Sequence, residues 1–180
     1  MEEKELVEKL RRPETCREAF GEMIRLYTEP LYRQVRRIVQ SHDDADDVLQ
    51  NVFMKAWQNI ENFRGEARLG TWLHKIAINE SMTFLERERK HAGISLDDEE
   101  SFIVNLIEAD RNIDGEQLAV LLRKAVATLP EKQRLVFNMR YFDEMKYEDI
   151  SAILGTSEGA LKTSYHLAVK KIEQFFKDRD

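Results

Sequence analysis

The sequence predicts an all-α protein built of two small helical domains joined by an acidic linker. Apolar residues recur at steps of three and four along most of the chain, which is the spacing of one helix face. Glycine and proline, the residues that interrupt helices, number only seven and three among 180 residues. Most of the excess negative charge lies in one short segment between two blocks that are close to neutral.

The most specific pattern is a helix-turn-helix over residues 147–176. Gly155 stands where a chain reversal needs a positive φ, and Ser157 is a suitable N-cap for the second helix. The first helix carries an apolar stripe: Ile150, Ile153 and Leu154. The second has an inward face at steps of three and four: Leu161, Tyr165, Ala168 and Ile172. Its outward face holds residue types that read a DNA groove: Ser157, Glu158, Lys162, Thr163 and His166. An ordinary helical hairpin is the alternative for this stretch alone.

The composition argues against several other classes of protein. The lone cysteine, Cys16, cannot form an internal disulfide, and no cysteines or histidines pair at the spacing of a zinc site. No apolar run has the length of a membrane span or a signal peptide. We therefore expect a cytoplasmic protein without membrane insertion and without a metal or cofactor.

The charge distribution places the domain boundaries. The net charge is −6, but residues 97–116 alone hold eight acidic residues against one basic residue. The preceding block sums to −1 and the following block to +2. We predict a first domain over residues 1–94, a linker over 95–116 and a second domain over 117–180. A solvated spacer would account for the acidic run without any function.

The first domain shows several further helix patterns. We expect amphipathic helices over residues 4–12, 20–27 and 45–60, and a next helical turn that Pro30 either opens or kinks. The helix after Pro30 carries basic side chains that face either solvent or phosphate: Arg33, Arg36 and Arg37.

A cluster of aspartates opens the helix at residue 45 and allows a second hypothesis. Asp43, Asp44, Asp46 and Asp47 are metal-ligand types, which would fit a metal-dependent enzyme. Carboxylates are also favoured at a helix N-terminus by the helix dipole, and this explanation needs no metal. No second ligand cluster or phosphate loop supports the enzyme, so we predict no catalytic residues.

A basic loop and the helix after it suggest contact with single-stranded nucleic acid. Arg64 and Arg68 flank Gly65, and Thr71 is a plausible N-cap for a helix that begins at Trp72. Arginines hold phosphates and aromatic rings stack on unpaired bases at such sites. The alternative is that Trp72 belongs to the core and the arginines face solvent.

In combination these segments resemble the extracytoplasmic-function (ECF) subfamily of bacterial RNA polymerase sigma factors. The resemblance covers nearly the whole chain, in register. The segments that carry it are residues 44–57 (DADDVLQNVFMKAW), 63–65 (FRG), 71–73 (TWL), 76–79 (IAIN), 129–134 (LPEKQR) and the helix-turn-helix. It implies a sigma-2 domain, a linker and a sigma-4 domain, and it implies the partners: core RNA polymerase, promoter DNA and an anti-sigma factor.

The resemblance also assigns roles to particular residues. It implies that the polymerase clamp helices contact Asp47, Gln50, Asn51 and Met54, although family members often have Glu at the position of Asn51. It implies that the minus-10 element, with a flipped base, contacts these residues: Phe63, Arg64, Arg68, Trp72, Lys75 and Asn79. Residues 97–116 would follow the RNA-exit path, where their negative charge imitates that of RNA.

In the sigma-4 domain, the outward face of the second helix would contact the minus-35 element: Ser157, Glu158, Lys162, Thr163 and His166. Val136, Met139, Arg140 and Tyr141 would lie on a helix that meets the polymerase flap. Relatives often carry Arg where this chain has Ser164, Leu167 and Val169, so we expect weak binding to DNA in the absence of polymerase.

Two further hypotheses remain open at this level. A stand-alone helix-turn-helix regulator would bind duplex DNA tightly without polymerase and has no use for residues 63–79. A sigma-like scaffold or decoy would bind polymerase without starting transcription. The linker also raises the hypothesis that the free protein holds its two domains together and hides its DNA surfaces.

Overall fold

The structure, a computed structural model, describes residues 2–109 and 117–179. Within those ranges it is helical and contains no strand. The α-helices are α1 (Glu3–Leu10), α2 (Pro13–Val39), α3 (His42–Asn59), α4 (Leu69–His91), α5 (Glu99–Ala109), α6 (Gln117–Ala127), α7 (Glu131–Phe137), α8 (Tyr147–Leu154) and α9 (Glu158–Lys177). Short 3-10 turns cover Ile60–Asn62 and Leu96–Asp98, and a π-helical segment covers Asn138–Phe142. This confirms the predicted all-α class.

The first bundle consists of α1 to α4 around one apolar core. Met23, Leu31 and Val35 of α2 are fully buried in it. These residues flank Pro30, and α2 is one continuous helix through it, so the expectation that a new helix opens at Pro30 is wrong. Burial on both sides of the proline stabilises the helix enough to offset the backbone hydrogen bond that proline cannot donate.

The second bundle consists of α6 to α9 and contains the helix-turn-helix of α8 and α9. Gly155 ends α8 with a φ of 65°. The Ser157 side chain accepts a hydrogen bond from the Ala160 amide at 3.3 Å and caps α9. Leu161, Ala168 and Ile172 are buried, which confirms the predicted inward face of α9.

The segment predicted as an acidic linker contains a packed helix. Phe102, Ile103 and Ile107 of α5 are buried in an apolar cluster that includes residues of both bundles, called here the shared apolar core. Glu99 and Glu108 pair with Arg134 and Lys124 of the second bundle at 3.0 and 2.9 Å. The charge of this segment predicts a solvated linker, but its apolar residues decide how it packs.

Parts of the predicted linker lie outside the described residues, and so do residues 1 and 180. Those linker positions are residues 110–116, which include acidic positions 110, 114 and 116. No helix within the described ranges is both long enough and apolar enough to span a membrane.

Polar side chains also join the two bundles. Arg37 of α2 forms an ion pair with Asp143, which follows the π-helical segment. Gln34 donates to Asp143 at 3.2 Å and accepts from Nδ1 of His74 at 2.9 Å. We call these four side chains the interdomain polar network: Gln34, Arg37, His74 and Asp143. Gln34 is 2% exposed, so the network is shielded from water.

The stability of this arrangement should depend on pH through His74. Burial, reinforced by the charge of Arg37, lowers the pKa of this imidazole to about 4, although Asp149 opposes the shift. The neutral form therefore stabilises the folded protein fully above the unfolded pKa of about 6.5, and this stabilisation is lost as the pH falls towards about 4. The loss should reach at most about 3 kcal/mol, since each pKa unit corresponds to about 1.4 kcal/mol.

Urea unfolding of the wild type and of His74→Gln between pH 4 and pH 7.5 measures this effect. The glutamine variant should lose less stability than the wild type over that range, because its amide does not titrate. Parallel curves for the two proteins would contradict the assignment.

Candidate nucleic-acid interface

The outward face of α9 is exposed along its first half. The five residues predicted to contact DNA all lie on it in contact with solvent: Ser157, Glu158, Lys162, Thr163 and His166. The structure thus brings the predicted set together on one helix face. The Thr163 hydroxyl donates to the Gly159 carbonyl at 3.2 Å. This face has a single lysine, so its electrostatic attraction for DNA is modest.

The ring of Tyr147, which was not among the residues predicted to form the site, supports Lys162. The Lys162 ammonium lies 5.7 Å from the ring centroid of Tyr147, and the Arg140 guanidinium lies 5.0 Å from the same centroid. Cations are attracted to the face of such a ring at these distances. Tyr147 therefore holds two positive groups together beside the reading face, and Arg140 also donates to the Met145 carbonyl at 3.0 Å. The sequence signal that could have indicated this role is the aromatic residue at the start of α8, Tyr147.

The loop before α4 differs from its prediction in two ways. Phe63 is 7% exposed, and its ring centroid lies 5.0 Å from that of Trp72. Its ring is therefore core that supports Trp72, not a surface open to a base. The helix begins at Leu69, not at Trp72 with Thr71 as N-cap. The Glu3 carboxylate of α1 accepts the Leu69 amide hydrogen at 2.9 Å, a contact that only the tertiary structure supplies.

Trp72 and Asn79 border an open concavity of about 310 Å³. The other residues around it come from the end of α3, the turn after it and α4: Lys55, Asn59, Asn62, Ile76 and Glu80. Trp72 is half-buried and Asn79 is exposed. An aromatic ring beside three asparagine amides offers both stacking and hydrogen bonds, which is the chemistry that holds an unpaired base. The sequence pattern had not included Asn59 and Asn62.

The three predicted cations of this region are exposed: Arg64, Arg68 and Lys75. The Arg11 guanidinium donates to the Arg64 carbonyl and so ties the loop to the end of α1. Gly65 makes the close approach possible, because its φ is 74° and a Cβ there would lie 2.6 Å from Nη2 of Arg11.

A third exposed face lies on α3. All four residues predicted to contact the polymerase are on it: Asp47, Gln50, Asn51 and Met54. Met54 is 58% exposed and Trp57, one turn further, is 46% exposed. Trp57 is held edge-on to Phe20 with 4.8 Å between centroids. An exposed methionine and tryptophan beside polar side chains are typical of a protein-binding surface.

The aspartate cluster at the start of α3 serves the helix terminus. Ser41 caps α3 by accepting from the Asp44 amide at 3.4 Å. Burial raises the pKa of the Asp44 carboxyl, and the Ser41 hydrogen bond acts in the opposite direction. Among the residues in the two described ranges, no three His, Cys, Asp or Glu side chains are grouped to hold a metal ion.

Two family models match the chain. One described as Sigma-70 region 2 matches residues 23–91, and one described as Sigma-70, region 4 matches residues 119–172. The ECF RNA polymerase sigma-E factor of Haemophilus influenzae is 30% identical over 87% of this chain and 87% of its own length. The ECF RNA polymerase sigma factor SigW of Bacillus subtilis is 26% identical over 89% and 90%. The RNA polymerase sigma-H factor of Pseudomonas aeruginosa is 25% identical over 96% and 93%.

Solved structures share the fold. CnrH in complex with the cytosolic domain of CnrY has a TM-score of 0.73 and 18% identity, with 99% of each chain covered. RpoE of Bartonella quintana in complex with the anti-sigma factor NepR has a TM-score of 0.68 and 22% identity. That likeness covers 88% of this chain and 96% of the other.

The loop at Gly65 provides a test of the geometry around the α4 site. Gly65→Ala should lower the free energy of unfolding by about 1 to 3 kcal/mol, because an L residue is strained at this φ and its Cβ meets Arg11. Gly21→Ala is the matched control, since a Cβ there meets nothing within 4 Å inside α2. The free energy of unfolding of this control should rise by about 0.5 to 1 kcal/mol, because Ala has a higher helix propensity than Gly. Urea unfolding at neutral pH measures both, and equal effects would contradict the loop geometry.

Proposed function

The chain belongs to the ECF sigma factors of the sigma-70 family. We propose that each of its three exposed faces makes a different contact during transcription initiation. The chain binds core RNA polymerase, recognises minus-35 and minus-10 promoter elements and promotes melting of the promoter. It is not an enzyme, because the polymerase supplies the chemistry. The family assignment confirms the resemblance seen in the sequence motifs.

The exposed α9 face is the observation that carries the proposal for duplex recognition. A capped, exposed helix following a tight turn fits the major groove, and its first residues then reach base edges. We assign Lys162 and His166 to phosphates or base edges, and Ser157, Glu158 and Thr163 to bases of the minus-35 element. Arg140, held beside Lys162 by Tyr147, adds positive charge to this face.

The concavity beside Trp72 and Asn79 is the proposed site for a base extruded from the minus-10 element. Extruding a base costs a few kcal/mol, and stacking with amide hydrogen bonds offsets this cost for the correct base. Arg64, Arg68 and Lys75 are exposed around the site and would hold the phosphates. Phe63 acts here by supporting Trp72.

The α3 face is the proposed contact for the polymerase clamp. Met54 and Trp57 would supply apolar contact area there, and Asp47, Gln50 and Asn51 the surrounding polar contacts. Because sigma factors act on RNA polymerase, we place the protein in the cytoplasm. We also propose an anti-sigma partner, since the solved structures that share the fold include RpoE bound to the anti-sigma factor NepR.

Run-off transcription tests the function directly. Purified bacterial core polymerase would transcribe fragmented DNA from the source genome with and without this protein, and the transcript starts would be mapped. Starts that share two spaced upstream motifs only in its presence are expected. Binding to polymerase without specific starts would favour the decoy, and tight duplex binding without polymerase would favour the stand-alone regulator.

The two tryptophans form a matched pair for separating melting from polymerase binding. Trp72→Ala should abolish melting while the affinity for core polymerase is kept, because Trp72 borders the proposed base site. Trp57→Ala should instead weaken polymerase binding, because it removes apolar area from the α3 face. Permanganate reactivity of unpaired thymines reports melting, and native gel titration reports polymerase binding. A normal bubble with Trp72→Ala would refute the assignment.

A lysine pair on α9 tests the proposed minus-35 contact. Lys162→Ala should weaken binding of the holoenzyme to promoter DNA by about 1 kcal/mol and lower the salt slope by about 1, as expected for one lost phosphate contact. Lys170→Ala is the control, because Lys170 is exposed on α9 two turns beyond the proposed contact. If both variants behave alike, Lys162 makes no specific contact.

A further inference from the structure

We propose that α1 is a clamp for the loop at residues 64–68, called here the basic loop, and that Glu3 and Arg11 are positioning residues for promoter melting. The basic loop leads into α4 and carries Arg64 and Arg68, to which we assign phosphate contacts. The role in melting rests on the proposed function, whereas the clamp itself rests on contacts within the first bundle. The whole of α1 lies before the part of the chain that matches Sigma-70 region 2.

Arg11 holds the first end of the basic loop. Its guanidinium donates to the Arg64 carbonyl. Gly65 leaves room for this contact, because a Cβ there would lie 2.6 Å from Nη2 of Arg11 and 3.9 Å from Cγ1 of Val7. The loop backbone therefore lies directly against α1. A hydrogen bond to the carbonyl fixes the backbone and leaves the exposed Arg64 side chain available to a phosphate.

Glu3 holds the second end of the basic loop, where α4 begins. Its carboxylate accepts the Leu69 amide hydrogen at 2.9 Å. In the described part of the chain, the N-cap residue Arg68 makes no side-chain hydrogen bond to the end of α4, and no acidic residue lies in the first turn. The helix therefore takes from α1 both the hydrogen-bond acceptor and the negative charge that stabilise a helix N-terminus.

Tyr27 of α2 also packs against the start of α4. A Cβ on Gly70 would lie 3.2 Å from Cε1 of Tyr27, so the ring contacts the backbone of the first turn directly. Burial raises the pKa of the Tyr27 hydroxyl, and the negative charge of Glu3 adds to this shift. The Tyr27 ring and the Glu3 carboxylate thus meet at the start of α4, which is held by α1 and α2 together.

The clamp is rigid because α1 is itself packed into the first bundle. Leu6 and Leu10 are 2% and 4% exposed in its core. The Thr15 hydroxyl of α2 donates to the Lys9 carbonyl at 2.8 Å and ties the end of α1 to the next helix. Every residue of the basic loop is exposed, so the loop has no buried side chain of its own to fix it. Its position therefore depends on the packed helix beside it.

The clamp lies next to the proposed base site. The Trp72 amide donates to the Arg68 carbonyl at 3.1 Å in the first turn of α4, and Trp72 borders the concavity. If this turn frays, Arg68 and Trp72 lose their fixed positions, and ordering them again costs free energy while the base is extruded. We therefore expect the clamp to speed melting without making a contact to DNA.

Two pairs of variants of the full chain test the clamp. Glu3→Ala removes the acceptor at the start of α4, and Glu5→Ala is its control, because Glu5 is an exposed residue of α1 that pairs with Lys9. Arg11→Met removes the donor to the loop, and Arg12→Met is its control, because Arg12 is the exposed neighbour. Each control makes the same change of charge as its partner, so both members of a pair change the long-range attraction for DNA alike.

Nuclear magnetic resonance of the free protein measures the clamp independently of any function. The Leu69 amide should exchange its hydrogen about fivefold faster in Glu3→Ala, which is the size of effect expected for one lost helix cap. Glu5→Ala should leave this rate unchanged, and Glu3→Gln should restore most of the protection because its side-chain oxygen still accepts. Arg11→Met should lower the backbone order parameter of Gly65, and Arg12→Met should not.

The kinetics of opening measure the role in melting, at a promoter identified by run-off transcription. Titration with holoenzyme separates the affinity for the closed promoter from the rate constant of opening, which permanganate reactivity follows in time. Glu3→Ala and Arg11→Met should each lower this rate constant about fivefold and leave the affinity unchanged. Loss of folded protein would lower the active fraction and not the rate constant. Glu3→Gln should recover most of the rate.

Two results would overturn this role: opening at the wild-type rate in both Glu3→Ala and Arg11→Met, or equally slow opening in the controls Glu5→Ala and Arg12→Met. Should Glu3→Ala fail to fold by circular dichroism, Arg11→Met tests the clamp from the other end of the loop. The proposed function is judged with the wild type alone. A wild type without specific transcript starts refutes that function, and the amide exchange then still confirms or refutes the clamp.

Discussion

Burial of Phe102, Ile103 and Ile107 between the bundles is the contact on which the arrangement of the whole chain depends. Ile103 and Ile107 are 1% and 0% exposed, although residues 97–116 hold eight acidic residues against one basic residue. Without apolar partners on both sides, such an acidic segment would stay solvated and the bundles would move independently. The acidic side chains of α5 still reach solvent or basic partners, since Glu100 is exposed and Glu99 and Glu108 pair with Arg134 and Lys124. The connecting segment therefore contributes apolar side chains to the core and also carries most of the excess negative charge of the protein.

The polar network adds orientation to this apolar contact. Apolar packing alone tolerates sliding, whereas a carboxylate with two fixed donors is satisfied in one arrangement only. Burial lowers the pKa of Arg37 to about 10, with Arg33 contributing, so the guanidinium remains charged at neutral pH and Asp143 keeps its partner. His74 belongs to the same network in its neutral form, because burial lowers its pKa to about 4, and its Nδ1 donates to the Gln34 side-chain oxygen. The interface thus combines an apolar area with a small number of directional contacts.

The residues assigned to DNA depend on neighbours that never reach it. Phe63 supports Trp72 from within the core, and Tyr147 holds Lys162 and Arg140 on one ring. Arg11 and Glu3, both outside the matched family regions, fix the loop and the start of α4. Such support sets the position of a reading side chain more strictly than its own rotamer preferences can.

The sequence by itself determined the helical class, the two bundles, the capped α9 with its outward face, and the family. These features depend on periodicity and on local chemistry such as that of Gly155 and Ser157. A short stretch of sequence contains all the information that they need. Tertiary structure alone decided that Phe63 is core, that α4 begins at Leu69 and that α2 continues through Pro30. It also decided that the acidic segment folds as α5 and that Arg37 meets Asp143, because each of these outcomes depends on a partner far along the chain that no local pattern identifies.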